Sequence, residues 1–154
     1  MAVYYFDTSA LVRRYVLEAG SSWVTAVSDP AAGNDIYVAR IASVELISAV
    51  TRRVRGGGLT PADAAAALGF FRRDFASQYQ IIEVSEALLR SATVLVERHA
   101  LRAYDAVHLA AVLELHSIRE ALGAPPLILI SSDLELNAAG IAEGLTVNDP
   151  STHS

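Results

Sequence analysis

Residues 4–12 read YYFDTSALV, and the reading of this stretch decides the fold. An apolar run of strand type, Tyr4-Tyr5-Phe6, stops at a carboxylate, after which two hydroxyl residues and a new apolar pattern begin. A short strand passing directly into a helix is the opening of an α/β unit. The charge at the junction, Asp7, either caps that helix or belongs to a site at the end of the strand. Thr8 and Ser9 are able to cap without a charge, so capping alone leaves the carboxylate unexplained.

Outward from this junction, the pattern repeats. Residues 2–6 are expected as the first strand and 9–17 as a short helix that Gly20 ends. Ser21-Ser22 would cap a second helix, to Ser28, with Asp29-Pro30 as its stop. IYVA (36–39) is a strand, and apolar residues at helical spacing from Ala42 to Val54 precede the break Gly56-Gly57-Gly58. That triple glycine lacks the following Lys-Ser/Thr of a phosphate-binding loop, so it is a turn or hinge. Thr60-Pro61-Ala62-Asp63 has the hydroxyl, proline and carboxylate of a helix start, and the helix runs to Ser77. YQIIEV (79–84) is a strand, Ser85 caps a helix to His99, and another helix spans 104–121. LILI (127–130) is a further strand, Ser131-Ser132-Asp133 opens a helix ending near Gly140, and LTV (145–147) is the last strand. Strands alternating with helices predict an α/β fold with a mainly parallel sheet in one domain, residues 1–149. The polar tail, 150–154, is expected to fray.

Composition narrows the chemistry. The chain has 154 residues, a hydrophobic fraction of 53% and no cysteine, which excludes disulfides, thiolate zinc sites and cysteine nucleophiles. No apolar run approaches the ~18 residues that span a bilayer, and the start lacks the basic segment and cleavage site of a signal peptide; a cytoplasmic protein is expected. Net charge is −5, a poor global signal for nucleic acid. Yet all 12 basic residues are arginine, whose planar fork suits phosphate. They cluster at Arg13-Arg14, at Arg52, Arg53 and Arg55, and at Arg72-Arg73.

Four acids stand in awkward places. In a parallel sheet ligands bind beyond the carboxyl ends of the strands; Asp7 ends the first strand, and Asp133 lies just past LILI. Glu45, in IASVELISAV, sits on a largely apolar helix, where an unpaired buried carboxylate costs several kcal/mol. Asp105, in LRAYDAVHLAAV, has His108 one turn on along the same face; an ion pair to Arg102 would be its ordinary explanation, and His108 reads as a packed or hydrogen-bonded core histidine. Each acid alone can be a cap or a surface charge. Gathered together without counter-charge they would repel, and a hard divalent cation, Mg²⁺ or Mn²⁺, relieves that. An aspartate-nucleophile phosphatase is disfavoured because the expected second acid, two residues after Asp7, is Ser9.

At these residues the chain resembles the PIN-domain nucleases, and among them the VapC-like toxins of bacterial toxin–antitoxin pairs. The resemblance rests on YYFDTSALVRRY, SVELISAV, LRAYDAVHLAA and LILISSDLELNAAGIAEGLTV, in that order, and covers nearly the whole chain. It implies a parallel sheet of about five strands flanked by helices. It also implies acidic catalytic positions at Asp7, Glu45, Asp105 and Asp133, with auxiliary hydroxyls at Ser9 and Ser131. Leu134 departs from the pattern, standing where relatives often carry a polar or basic residue. The implied activity is a metal-dependent endoribonuclease, with Mg²⁺ or Mn²⁺ held by Asp7, Asp105 and Asp133 and activating water, and with Glu45 ligating through water or orienting it. Products would carry 5′-phosphate and 3′-hydroxyl ends. Arg102, Arg52, Arg53 and Arg55 are the expected backbone contacts. A small antitoxin is the expected partner, with a homodimer or hetero-oligomer and no membrane association; apolar surface around Val12, Trp23 and Phe70–Phe75 would receive the partner or pack as core. The competing reading is a PIN-like module without turnover that binds RNA or protein.

Overall fold

Alternation along β1 (Val3–Phe6) divides the molecule into two cores. Successive strand side chains point to opposite faces: Val3 and Tyr5 enter one cluster of buried residues, and Phe6 enters the other. On the Phe6 side pack α1 (Thr8–Tyr15), α2 (Ser21–Ser28), α3 (Ala42–Arg55) and α4 (Pro61–Ser77), through Leu11, Val24, Leu46 and Phe71. On the Tyr5 side pack α5 (Glu86–His99), α6 (Ala103–Ala121) and α7 (Leu134–Ala142), through Leu88, Leu109 and Leu136. Short parallel strands need both faces covered, and full burial of side chains such as Leu129 and Ile130 stabilises by roughly 1.5–3 kcal/mol each.

The computed structural model describes residues 1–153. Its sheet adds β2 (Asp35–Ala39), β3 (Gln80–Ile82), β4 (Ile128–Ile130) and β5 (Thr146–Asn148) to β1, all parallel, in the order β3-β2-β1-β4-β5. The chain therefore builds outward from β1 on one side, then returns to build on the other. The crevice beyond the carboxyl ends of strands at such a reversal is where α/β sheets bind ligands, and here it lies between β1 and β4. The helices α1, α3 and α7 each begin directly after one of the central strands β1, β2 and β4.

Most expected helix starts hold. Thr60 accepts from the Asp63 N–H, Ser85 from Leu88 and Asp133 from Leu136. Ser21 is different: Gly20, at φ 87°, is the N-cap of α2, and the Ser21 hydroxyl instead bridges Glu18 N–H and Val16 C=O. The strand expected over 79–84 contracts to Gln80–Ile82: at its start the Tyr79 N–H is taken by the Asp74 carbonyl at the end of α4, and at its end the pairing stops where β2 stops, at Ala39.

The tail is not frayed through residue 153. Pro150–Thr152 form a 3₁₀ turn, Pro150 is buried, and His153 stacks on Trp23 with ring centroids 4.3 Å apart. Gly20 makes this docking possible, since a Cβ there would stand 2.2 Å from the Pro150 carbonyl oxygen. The apolar surface expected around Val12, Trp23 and Phe70–Phe75 is mostly core: Val12 and Phe71 are buried, Trp23 lies under His153, and Phe70 stays exposed. Among the described residues no helix is long and apolar enough to cross a membrane.

Candidate active site

Asp7 stands at the strand-order reversal and caps the helix that follows it. Its N–H donates to Ile130 C=O at 3.2 Å, extending the β1–β4 pairing by one step. Its Oδ1 accepts from the Ala10 N–H at 3.0 Å, which caps α1, and from the Ser9 hydroxyl at 2.7 Å. Its Oδ2 accepts from the Ser131 hydroxyl at 2.7 Å. Each serine in turn accepts from the loop leading into α7: Ser132 N–H to Ser9 at 3.0 Å, Asp133 N–H to Ser131 at 3.1 Å. The carboxylate is thus tied to two chain segments by neutral donors alone. Burial raises its pKa above the ordinary value, against His108 and the Ser9, Ala10 and Ser131 donors that lower it.

Glu45 belongs to a second network. It lies in the first turn of α3, where a negative charge also suits the helix dipole. Its Oε1 accepts from the Thr8 hydroxyl at 2.9 Å and sits 2.6 Å from His108 Nε2. The His108 ring is buried in α6, and its Nδ1 lies 2.7 Å from the hydroxyl of Tyr5 in β1. Burial opposes the ionised form of Glu45, but the His108 hydrogen bond and charge, with Thr8, hold its carboxyl below the ordinary value. His108 shifts oppositely: burial disfavours its imidazolium, and Glu45, Asp7 and Asp105 outweigh that to raise its pKa. The expected core histidine is therefore a core histidine bonded to a site acid.

Asp105 and Asp133 complete the set. Asp133 spends one oxygen, Oδ1, on the α7 cap. Asp105, in the first turn of α6, forms no hydrogen bond or ion pair among the described residues, and Arg102 does not neutralise it. Burial, then the charges of Asp133, Asp7 and Glu45, push its carboxyl up to about 6, with His108 acting in the other direction. Asp105 thus lies within reach of the charge of each of the other three acids. They are not drawn into a closed cage: among the described residues no three carboxylates or imidazoles meet closely enough to hold one ion. The donors nonetheless fit Mg²⁺ or Mn²⁺, because they are hard oxygens and Mg²⁺ keeps several of its waters while using one or two carboxylates.

The PIN-domain family model matches residues 4–141. The chain belongs to the PIN-domain family. Ribonuclease VapC45 of Mycobacterium tuberculosis (strain CDC 1551 / Oshkosh) is 33% identical over 148 residues, covering 96% of this chain and 95% of its own, and Ribonuclease VapC49 of strain ATCC 25618 / H37Rv matches equally. These relatives place this PIN domain in the VapC group. Among solved structures, PAE2754 from Pyrobaculum aerophilum superposes with a TM-score of 0.64 at 19% identity, over 98% of this chain and 85% of that one. A toxin–antitoxin complex from Klebsiella pneumoniae gives 0.62 at 19%, over 97% and 98%. At such identities the structural likeness speaks for the fold alone.

The arginines of this PIN domain divide. Arg53 lines a groove of about 340 Å³ together with Thr8, Ser9 and Asp133, and Arg13 shares that groove. Arg52 and Arg55 are exposed in the last turn of α3, and Arg102 is exposed at the N-cap of α6. Leu134, the departure from the family pattern, is 78% exposed beside Asp133. Sequence reasoning missed Tyr5 and Thr8 as partners of the site. The period of two in β1 carried a signal for Tyr5, placing it opposite Phe6 and toward whichever helices cover that face.

Proposed function

We propose that this PIN domain is a metal-dependent endoribonuclease and the toxin of a pair with a small antitoxin protein. One observation carries the reading. Asp7, Glu45, Asp105 and Asp133 come from four separate stretches of chain to the strand-order reversal, and none is in an ion pair with an arginine among the described residues. A structural cluster of acids would be paired with arginine; here Glu45 alone has a basic partner, His108, and the crowding of the acids is visible in the raised Asp105.

Asp7, Asp105 and Asp133 would hold Mg²⁺ or Mn²⁺, with Glu45 beside them. The cation would supply Lewis-acid charge, lowering the pKa of a bound water and stabilising the leaving oxygen. The protein's own residues do the rest. Ser9 and Ser131 aim Asp7 without cancelling its charge. Glu45 stays ionised through its bonds to Thr8 and His108 and is placed to orient a water or accept its proton. Arg53, paired with Glu18 at 3.3 Å, offers a guanidinium in the groove that Asp133 also lines, where the RNA backbone next to the cleaved bond would lie. Arg52, Arg55 and Arg102 contribute only longer-range charge.

Purified protein incubated with total RNA and Mg²⁺ or Mn²⁺ tests the proposal. Discrete products ending in 5′-phosphate and 3′-hydroxyl are expected, abolished by EDTA and by Asp7→Asn. Cleavage that persists in EDTA removes the metal from the mechanism. Metal binding with no cleavage of any RNA favours the binding-module alternative. The antitoxin arm predicts that co-expression of the cognate small protein restores growth and yields a stable complex.

A further inference from the structure

The Tyr5–His108 pair has no part in the acid set, yet it is buried, bonded to Glu45, and built from two different elements. Tyr5 is fully buried in the central strand, and its hydroxyl has one partner among the described residues, His108 Nδ1 at 2.7 Å. A tyrosine phenol, with an ordinary pKa of ~10, carries its proton at neutral pH. Its O–H must therefore donate or leave a buried proton unsatisfied, and Nδ1 is the acceptor it faces. An imidazole that accepts at Nδ1 carries its proton at Nε2. If the ring is instead doubly protonated, Nε2 still carries a proton. The remaining neutral form would point a bare Nε2 lone pair at an ionised carboxylate 2.6 Å away, which is repulsive. In every acceptable arrangement, then, Nε2–H donates to Glu45.

That donation has a directional consequence. Both bonds to Glu45, from His108 Nε2 and Thr8 Oγ1, fall on Oε1. Oε2 takes part in no hydrogen bond among the described residues, while the Glu45 side chain remains 24% exposed. One oxygen is clamped and the other is presented to solvent at the acidic edge.

We propose that His108 is a positioning residue, set by Tyr5, that clamps Glu45 Oε1 and so presents Oε2 to the reacting water or its cation. This rests on the nuclease reading and adds to it a specific chain, Tyr5 to His108 to Glu45, which spans β1, α6 and α3. The hydroxyl of Tyr5 fixes the imidazole, as an orienting partner does for a ligating or catalytic histidine. The imidazole fixes the carboxylate.

The test compares His108→Leu, His108→Gln and Tyr5→Phe with the wild type in single-turnover RNA cleavage with Mn²⁺, alongside imidazole nitrogen NMR of the metal-free protein. Leucine fills the space without a donor; glutamine restores an N–H near the position of Nε2. His108→Leu is expected to lower kcat by about 10–100-fold, the usual range for loss of an orienting partner, with KM for RNA changed less than about twofold in a protein still folded but with a lower melting temperature, because the buried Tyr5 hydroxyl loses its partner. His108→Gln should recover much of that loss, and Tyr5→Phe should lie between. The NMR spectrum should show Nε2 protonated in the wild type. Wild-type rates in His108→Leu, or a glutamine variant no better than leucine at equal stability, overturns the proposal and leaves the nuclease reading intact. A bare Nε2 overturns it whatever the activity. A wild type that cleaves no RNA with any divalent metal overturns the nuclease reading itself and the positioning role with it.

Discussion

Two aspartates of this molecule are equally buried and entirely unlike. Asp7 is 4% exposed and Asp74 is 5% exposed. Asp74, near the end of α4, accepts from the Tyr15 hydroxyl at 2.8 Å and from Arg73 at 3.1 Å, and Arg14 lies 3.7 Å away. Tyr15 also bonds Tyr79, whose hydroxyl takes a bond from Arg14. Asp7 has hydroxyl and amide donors and no cation. An acid retained for the fold is neutralised where it stands, because a buried charge without a partner is expensive. On the proposed function, Asp7 is retained for chemistry instead, and its partners orient it without a charged hydrogen-bond donor. The difference lies in the partners, not in the burial.

Asparagine at both positions probes this contrast most sharply. Asp7→Asn keeps the helix cap, since asparagine caps as well as aspartate, and removes the charge. RNA cleavage should fall by more than the ~100-fold typical of an outer partner, while the melting temperature in EDTA stays level or rises. Asp74→Asn should do the reverse. Leaving Arg14 without its counter-charge costs about 3 kcal/mol, a fall in melting temperature of roughly 6–12 °C for a chain of this size, with kcat preserved. If Asp74→Asn abolishes cleavage in a protein that is still folded, the contrast fails.

A smaller effect follows from Asp105. Its carboxyl, pushed up to about 6 in the folded state, stands above the ordinary value of 3.8, so between the two the folded state holds a proton that the unfolded chain has released. The stability that proton confers is complete below the unfolded pKa and is lost as pH rises through about 6. Thermal melts in EDTA should therefore decline across that window more steeply for wild type than for Asp105→Asn, and Mg²⁺ should flatten the wild-type profile. A variant that parallels wild type would show that Asp105 does not feel the other acids.

The smallest effect separates the arginines. Arg53→Ala should weaken metal-free RNA binding and reduce the salt dependence by about one phosphate contact, a change in slope near ~0.7 for a single strand. Arg55→Ala should alter either quantity by much less. Fluorescence anisotropy across a salt series measures both, and equal effects would deny the groove its role.

Much of this contrast was legible in the chain itself. A carboxylate directly after an apolar strand, with hydroxyls already present for capping, marks Asp7, and four blocks in family order mark Glu45, Asp105 and Asp133. The Thr60 and Ser85 caps followed from short-range chemistry. What stayed hidden depends on distant pairing. Tyr5 and His108 are 103 residues apart, and only the strand order brings α6 over β1. The Tyr15–Asp74–Tyr79 network likewise has no local signature, and it shortens β3 by engaging the end of α4. The docked tail depends on Gly20 meeting Pro150, a contact no local pattern announces.

The Ser131–Asp7 bond joins residues 124 positions apart, which bears on how the protein is born. Synthesis proceeds from the N-terminus, so Asp7 leaves the ribosome long before β4, Ser131 and Asp133 exist. Until they do, β1 has a neighbour on one side only, and Asp133 is missing from the acids. Contacts of such long range also form late in folding, after the entropy of closing the loop has been met. On the proposed function, the set of acids is therefore incomplete in the nascent chain until nearly all of it has been translated.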